Sequence, residues 1–307
     1  MFYRRKLLLG TAAIGGALLP FASSIAYSQD ADFNSAADGI KGILLDAQKG
    51  GLLSDEESTI GPISDEYSAL YQITAAIDEL ESNPSNDPLR DILLDQLYAG
   101  LGRLNFSLKS PPAQLDEDEA APQYTGLKSS YIQLFESCQI PPERKGQVDW
   151  HIDRITKPIA IARYRAVEGE TGVPWYFIGI VHALEASFNF RGHLHNGDPL
   201  DRRTRQVPSG RPRIWNPPSN WESSAIDALR DVGNNSDWSI PRMLYLLEGY
   251  NGYGYQYRRL KSPYLWSFSN HFSKGKFVRD GVFDPSAGSK QCGAGVMLKA
   301  FKLKNLI

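Results

Sequence analysis

Cysteine is nearly absent, with Cys138 and Cys292 the only two among 307 residues. Neither stands at metal-ligand spacing, so a thiolate zinc framework is excluded. In an oxidising compartment the two would either close one long loop or remain unpaired structural thiols. Long apolar runs are absent beyond Ala22, so nothing later is able to cross a bilayer as a helix. No internal repeat is present. Tryptophan is missing from residues 29–120, where bases are also few: 19 acids stand against 5 bases, a balance of −14. Residues 121–307 carry 16 acids and 25 bases, a balance of +9, and all six Trp. The basic part would attract an anionic polymer. The acidic part would shield it or form a solvated helical surface.

The N-terminus reads as an export signal over 1–28. Arg4, Arg5 and Lys6 precede an apolar stretch of 16 residues, Leu7 to Ala22. That is short of the roughly 20 residues a membrane span requires. Ala26 and Ser28 are small residues spaced for cleavage before Gln29. Tyr3-Arg-Arg-Lys-Leu-Leu-Leu9 resembles a twin-arginine signal; a general secretory signal and an uncleaved anchor are the alternatives. The mature chain is expected to be exported and not inserted in the membrane.

Apolar spacing predicts helices over Ser64–Ser82 and Asp87–Leu104, joined by a turn cluster into a hairpin. A Pro-rich acidic linker, 109–123, separates this 29–108 region from a domain spanning 124–307. Further helices are expected over Tyr124–Cys138, over Gln147–Glu168 with a break near Pro158, and over 221–232 and 240–250. Gly192–Pro218, rich in Pro and Gly, reads as turns and short strands. The expected fold is mainly α: a helical domain with a small β-hairpin region, preceded by a helical segment.

Glu185 is the one charged residue in the apolar run Gly172–Phe190. Its neighbours on a helix face are Val181, His182, Phe188 and Asn189, none of them Lys or Arg. A carboxyl without a fixed cation tends to hold its proton, as a glycosidic acid must. The alternative is a helix-end Glu that turns to solvent or pairs with a distant base. Asn196-Gly197 is a turn signal. Asp198 and Thr204 on opposite arms of a hairpin would supply a base and a water-orienting hydroxyl. Otherwise Asp198 closes an Asx turn and Thr204 is an ordinary strand residue. Arg191, Arg202, Arg203, Arg205, Arg211 and Arg213 suit carboxylate or phosphate groups, or a solvated basic face. His193-Leu-His195, with His182 and Asp198, offers a zinc reading. The Tyr-rich stretch holding Tyr250, Tyr253 and Tyr255, and a later one holding Trp266, suit a sugar-binding wall or a core.

Together, Ile180-Val-His-Ala-Leu-Glu-Ala-Ser-Phe-Asn-Phe190, His193-Leu-His-Asn-Gly-Asp-Pro-Leu200, Val207-Pro-Ser-Gly-Arg-Pro212, Leu247-Glu-Gly-Tyr-Asn-Gly-Tyr-Gly254 and Ser262-Pro-Tyr-Leu-Trp-Ser-Phe-Ser-Asn-His271 carry a family resemblance. Over about 147–300 the chain resembles bacterial and phage-related lysozyme-family proteins of the lysozyme-like superfamily. The Glu motif and the Tyr-Asn motif echo goose-type lysozymes and soluble lytic transglycosylases. The resemblance implies an α+β lysozyme-like domain with Glu185 as catalytic acid and Tyr250 and Asn251 lining the cleft. The order Glu, then Asp-x5-Thr, is similar to phage-type lysozymes and places Asp198 and Thr204 beside the attacking water. His193, His195, Asn196, Arg202, Arg211, Tyr253, Tyr255 and Trp266 complete the expected substrate-binding set. The activity implied is cleavage of the β-1,4 bond between N-acetylmuramic acid and N-acetylglucosamine in peptidoglycan strands. It would need no cofactor, metal or nucleic-acid partner and would be the work of a monomer. Hydrolysis is the expected outcome; transglycosylation and catalytically silent wall binding are the alternatives.

Overall fold

The computed structural model describes residues 29–54, 63–82, 87–109, 121–206, 208–215, 220–279 and 281–307. The export signal and residues 110–120 of the linker lie outside the described residues.

The first three helices are α1 (Gln29–Lys49), α2 (Glu66–Ser82) and α3 (Pro88–Leu108). Asp87 starts α3 by accepting the Leu89 N–H at 2.9 Å, and Pro88 fills the first turn, where its missing N–H is no loss. The α3 helix packs on both α1 and α2. Ile40, Leu44, Ile73, Ile77, Leu80, Leu93, Leu97, Leu101 and Leu104 close a core of their own. The two helices expected between 64 and 104 are thus present, α3 running one turn further.

The second core is larger and is built from α4 (Tyr124–Glu136), α5 (Pro142–Ile155), α6 (Pro158–Thr171), α7 (Trp175–Ala186), α8 (Trp221–Gly233), α9 (Ile240–Asn251) and α12 (Ala294–Leu303). Short helices α10 (Gly254–Tyr257) and α11 (Pro263–Trp266) line its later part. The helix expected over 147–168 is two helices, because Thr156 ends α5 and Pro158 opens α6. Helix α7 is buried almost all round: of its residues only Tyr176 is not buried. Gly179 permits this, since a Cβ there would lie 2.3 Å from Ile155 Cγ2 of α5.

The architecture is mainly helical, as expected, but its sheet is elsewhere. Among the described residues of 192–218 the only strand-like feature is one bridge, Gly192 with Pro199. That segment instead bonds through side chains to its own backbone and to α8. The antiparallel pair is β1 (Lys276–Arg279) with β2 (Val282–Asp284), Phe277 facing Phe283. The sequence there holds Asp280-Gly281, a hairpin turn signal, and Gly281 has φ +70°.

Candidate functional site

Helix α7 ends directly after Glu185. The chain then turns through two left-handed residues that are not glycine, Ser187 (φ 47°) and Phe188 (φ 64°). For a bulky residue such as Phe188 this is an uncommon conformation. It is held by Phe188 N–H donating to His182 O at 3.3 Å and Asn189 N–H to Ala186 O at 2.9 Å. The Phe188 ring is fixed against Trp150 and His151, with centroids 5.5 and 5.9 Å away.

Glu185 is buried, with 7 % of its surface exposed. Its Oε1 accepts from the Tyr264 hydroxyl of α11 at 3.0 Å. Its Oε2 is ion-paired with Lys109 Nζ, at the C-terminal end of α3. This corrects the expectation of an acid without a cation: the partner comes from 76 positions earlier, outside the helix. The ammonium also donates to the Glu185 and Asn196 carbonyls, at 3.3 and 3.4 Å. Asn105 Nδ2 donates to the same Glu185 carbonyl at 2.9 Å. Burial, then the Glu185 charge, pushes the Tyr264 hydroxyl well above its ordinary value. Burial, then the Glu185 charge, likewise raises the Tyr250 hydroxyl. The Tyr250 hydroxyl and Asn251 Nδ2 are buried without a hydrogen-bond partner among the described residues.

The turn Asn196-Gly197 abuts this cluster. Gly197 has φ +85°, and a Cβ there would lie 2.8 Å from the Glu185 carbonyl oxygen, so only glycine fits. Asp198 follows, buried, and its Oδ2 is bonded three times within the loop. It accepts from Asn196 Nδ2 at 3.0 Å, Arg205 N–H at 2.8 Å and Gln206 N–H at 2.9 Å. Asn196 Oδ1 in turn accepts from Asp198 N–H at 2.9 Å, and its amide donates to Gln206 O at 3.1 Å. The Thr204 hydroxyl donates to Pro208 O and accepts from Arg211 N–H at 2.9 Å. Both side chains are therefore tied into the shape of the loop.

The histidines are held by α8. His193 bonds Ser224 Oγ through Nδ1 at 2.7 Å and Arg202 O through Nε2 at 2.7 Å. His195 Nε2 meets Asp227 Oδ2 at 2.9 Å. Burial pulls the His193 imidazole below its ordinary value. No group of three or more His, Cys, Asp or Glu side chains that could hold a metal occurs among the described residues. Arg211 clamps Asp227 with Nε at 2.9 Å and Nη2 at 2.8 Å. Burial alone would raise the Asp227 carboxyl, yet the His195 hydrogen bond and the Arg211 charge hold it below the ordinary value. Arg202 is exposed and paired with Asp201.

Of the aromatic set, Tyr253, Tyr255 and Trp266 are core residues. Tyr253 stacks on Tyr245 at 5.1 Å and donates to its carbonyl at 3.1 Å. Tyr255 is fully buried, its hydroxyl accepting from Phe277 N–H at 3.0 Å. Trp266 is 1 % exposed and packs edge-on against His271. These burials correct the expectation that the three rings form a sugar-facing wall. The residues that sequence reasoning missed are Lys109, Asn105 and Tyr264. Tyr264 stood inside a quoted motif; the other two carry no local signal.

Cys138 and Cys292 are both free and buried. No protein-family model matches the chain, and no curated protein or solved structure matches it.

Proposed function

We propose that this chain is an exported peptidoglycan glycosidase in which Glu185 protonates the bridging oxygen between N-acetylmuramic acid and N-acetylglucosamine. The observation that carries the reading is the setting of Glu185. It is a buried carboxyl at a helix end, bonded by Tyr264 and Lys109 and followed by a strained turn. Such strain gathers at functional sites. The Tyr250 hydroxyl and the Asn251 amide are buried and lack a partner among the described residues; such donors would suit sugar hydroxyl and acetamido oxygens, because buried polar groups ordinarily find partners. Export rests on the signal-like segment 1–28.

After protonation, two routes are open. Water activated by a second carboxylate gives hydrolysis. Alternatively the muramyl 6-hydroxyl attacks and Glu185 takes its proton, giving a 1,6-anhydro end. The bonds that Asp198 Oδ2 and the Thr204 hydroxyl already make favour the second route, in which Glu185 acts alone as acid and then base. We therefore favour a lytic transglycosylase, with a hydrolase as the rival. Mass spectrometry of digested peptidoglycan separates them, since the two kinds of end differ by one water. Anhydro ends support the single-acid route; reducing muramic acid ends would return the role of base to Asp198. Intact walls after prolonged incubation would support silent wall binding instead.

A further inference from the structure

Helix α3 lays one stripe of residues along the segment that carries Glu185. Asp95, Tyr98, Gly102, Asn105 and Lys109 are spaced three and four apart, which puts them on one helix face. Asp95 pairs with Arg191, whose guanidinium also lies 4.3 Å from the Tyr98 ring centre. The Tyr98 carbonyl accepts from Asn189 Nδ2 at 3.3 Å. A Cβ on Gly102 would lie 4.0 Å from that same amide nitrogen. Asn105 bridges the Glu185 carbonyl and, at 2.7 Å, the Ser187 hydroxyl. Lys109 ends the stripe on the Glu185 carboxylate.

This stripe is polar, whereas the leucines of α3 face the core of its own three-helix unit. The neighbouring helix α2 meets the larger unit through rings, Tyr71 on Trp150 at 4.8 Å and Tyr67 on Phe268 at 5.6 Å, and through ion pairs of Asp78 with Arg154 and Lys157 and of Glu66 with Lys290. The three-helix unit is thus fastened by rings and ion pairs at α2 and by exchangeable polar contacts at α3. Polar contacts of this kind suit interfaces between units that move relative to one another.

The contact is incompatible with acid catalysis. Both carboxyl oxygens of Glu185 are occupied, Oε1 by Tyr264 and Oε2 by Lys109. An ammonium has three donors and no acceptor, so it fills the Oε2 position from which Glu185 would present a proton. A general acid has to bring its proton within about 2.6–3.2 Å of the bridging oxygen. Resting on the glycosidase reading, we propose that the α1–α3 unit is a built-in cover that silences Glu185 through Lys109. Cleavage requires the polar stripe of α3 to lift from residues 185–191.

The test uses the full chain on purified peptidoglycan, comparing wild type with Lys109→Met, Asn105→Ala and Glu185→Gln, with hydrogen exchange measured on each. Lys109→Met, which removes the donor that occupies Oε2, is expected to cleave about tenfold faster or more, within the range a general acid contributes. Asn105→Ala, which loosens the stripe but keeps the ammonium, is expected to give a smaller rise. Amide exchange over 185–197 should increase in both. If Lys109→Met is slower than wild type and Asn105→Ala is unchanged, Lys109 positions the acid and the cover is refuted while the glycosidase reading stands. If exchange over 185–197 is unchanged in both variants, the stripe is no cover, whatever the rates. If no variant and no wild-type sample cleaves, the glycosidase reading fails and the regulation with it.

Discussion

Glu248 offers a stability test independent of any activity. Its side chain is fully buried in α9, where Oε2 accepts from Tyr131 at 2.5 Å and from Gln256 at 2.8 Å, while Oε1 has no partner among the described residues. Burial pushes its pKa from 4.5 to about 7, against the hydrogen bonds from Tyr131 and Gln256. The unfolded chain releases this proton near 4.5 and the folded chain near 7. Between those values the folded state holds more protons, so stability falls by about 1.4 kcal/mol per pH unit. The contribution is fully present below 4.5 and lost by about pH 7, a change of roughly 3 kcal/mol. His151 and His182, lowered by burial to about 4 and about 3, act in the opposite direction below pH 6.5. The quantity to measure is therefore a difference: urea unfolding of wild type minus Glu248→Gln, from pH 4.5 to 8. Glutamine keeps the shape and accepts both hydrogen bonds without titrating. The expected difference moves against wild type by roughly 3 kcal/mol as pH rises to 7, then levels off. Parallel curves across the range would refute the buried-acid argument.

Three further outcomes follow from the loop and α8. Asp198→Asn should leave glycan cleavage within a few-fold of wild type, because an amide oxygen still accepts the Arg205 and Gln206 N–H groups; a drop of a hundredfold or more in released fragments, on the scale of a lost base, would make Asp198 catalytic. Asp227→Ala should destabilise the fold by about 3 kcal/mol in urea, since it strands the buried Arg211 and His195 partners; a change below 1 kcal/mol would contradict that pairing. Replacing Arg202, Arg203 and Arg205 with Gln should weaken cell-wall binding most at low salt, where exposed charges are least screened; unchanged sedimentation with walls at low salt would show a merely solvated face.

The buried character of α7 was legible because apolar residues cover every face of it, and the break at Pro158 because proline cannot sit inside a helix. The cation beside Glu185 was not legible. Helix-neighbour spacing sees only Val181, His182, Phe188 and Asn189, whereas Lys109 arrives by docking of a separate unit. His193-Leu-His195 offered a metal reading because its partners Ser224 and Asp227 lie some thirty positions later. Tyrosines beside glycines suit a sugar wall and a packed core equally, and burial decided for core at Tyr253 and Tyr255. The strand pair at 276–284 carried an Asp-Gly turn signal, but its strands are only 4 and 3 residues long. The Pro- and Gly-rich composition of 192–218 pointed to turns correctly and, among the described residues, to strands wrongly, since the Asn196, Asp198 and Thr204 side chains share the bonding of its backbone with tight-turn bonds.

The central claim is that Glu185 delivers the proton that breaks the glycan. The most direct measurement is the rate of soluble fragment release from purified peptidoglycan by wild type and by Glu185→Gln, with folding of both verified by circular dichroism. The amide preserves size and still accepts from Tyr264, but it has no proton to transfer. A loss of about a hundredfold to ten-thousandfold is expected, the range for removal of a general acid. Release by Glu185→Gln at the wild-type rate would contradict the account.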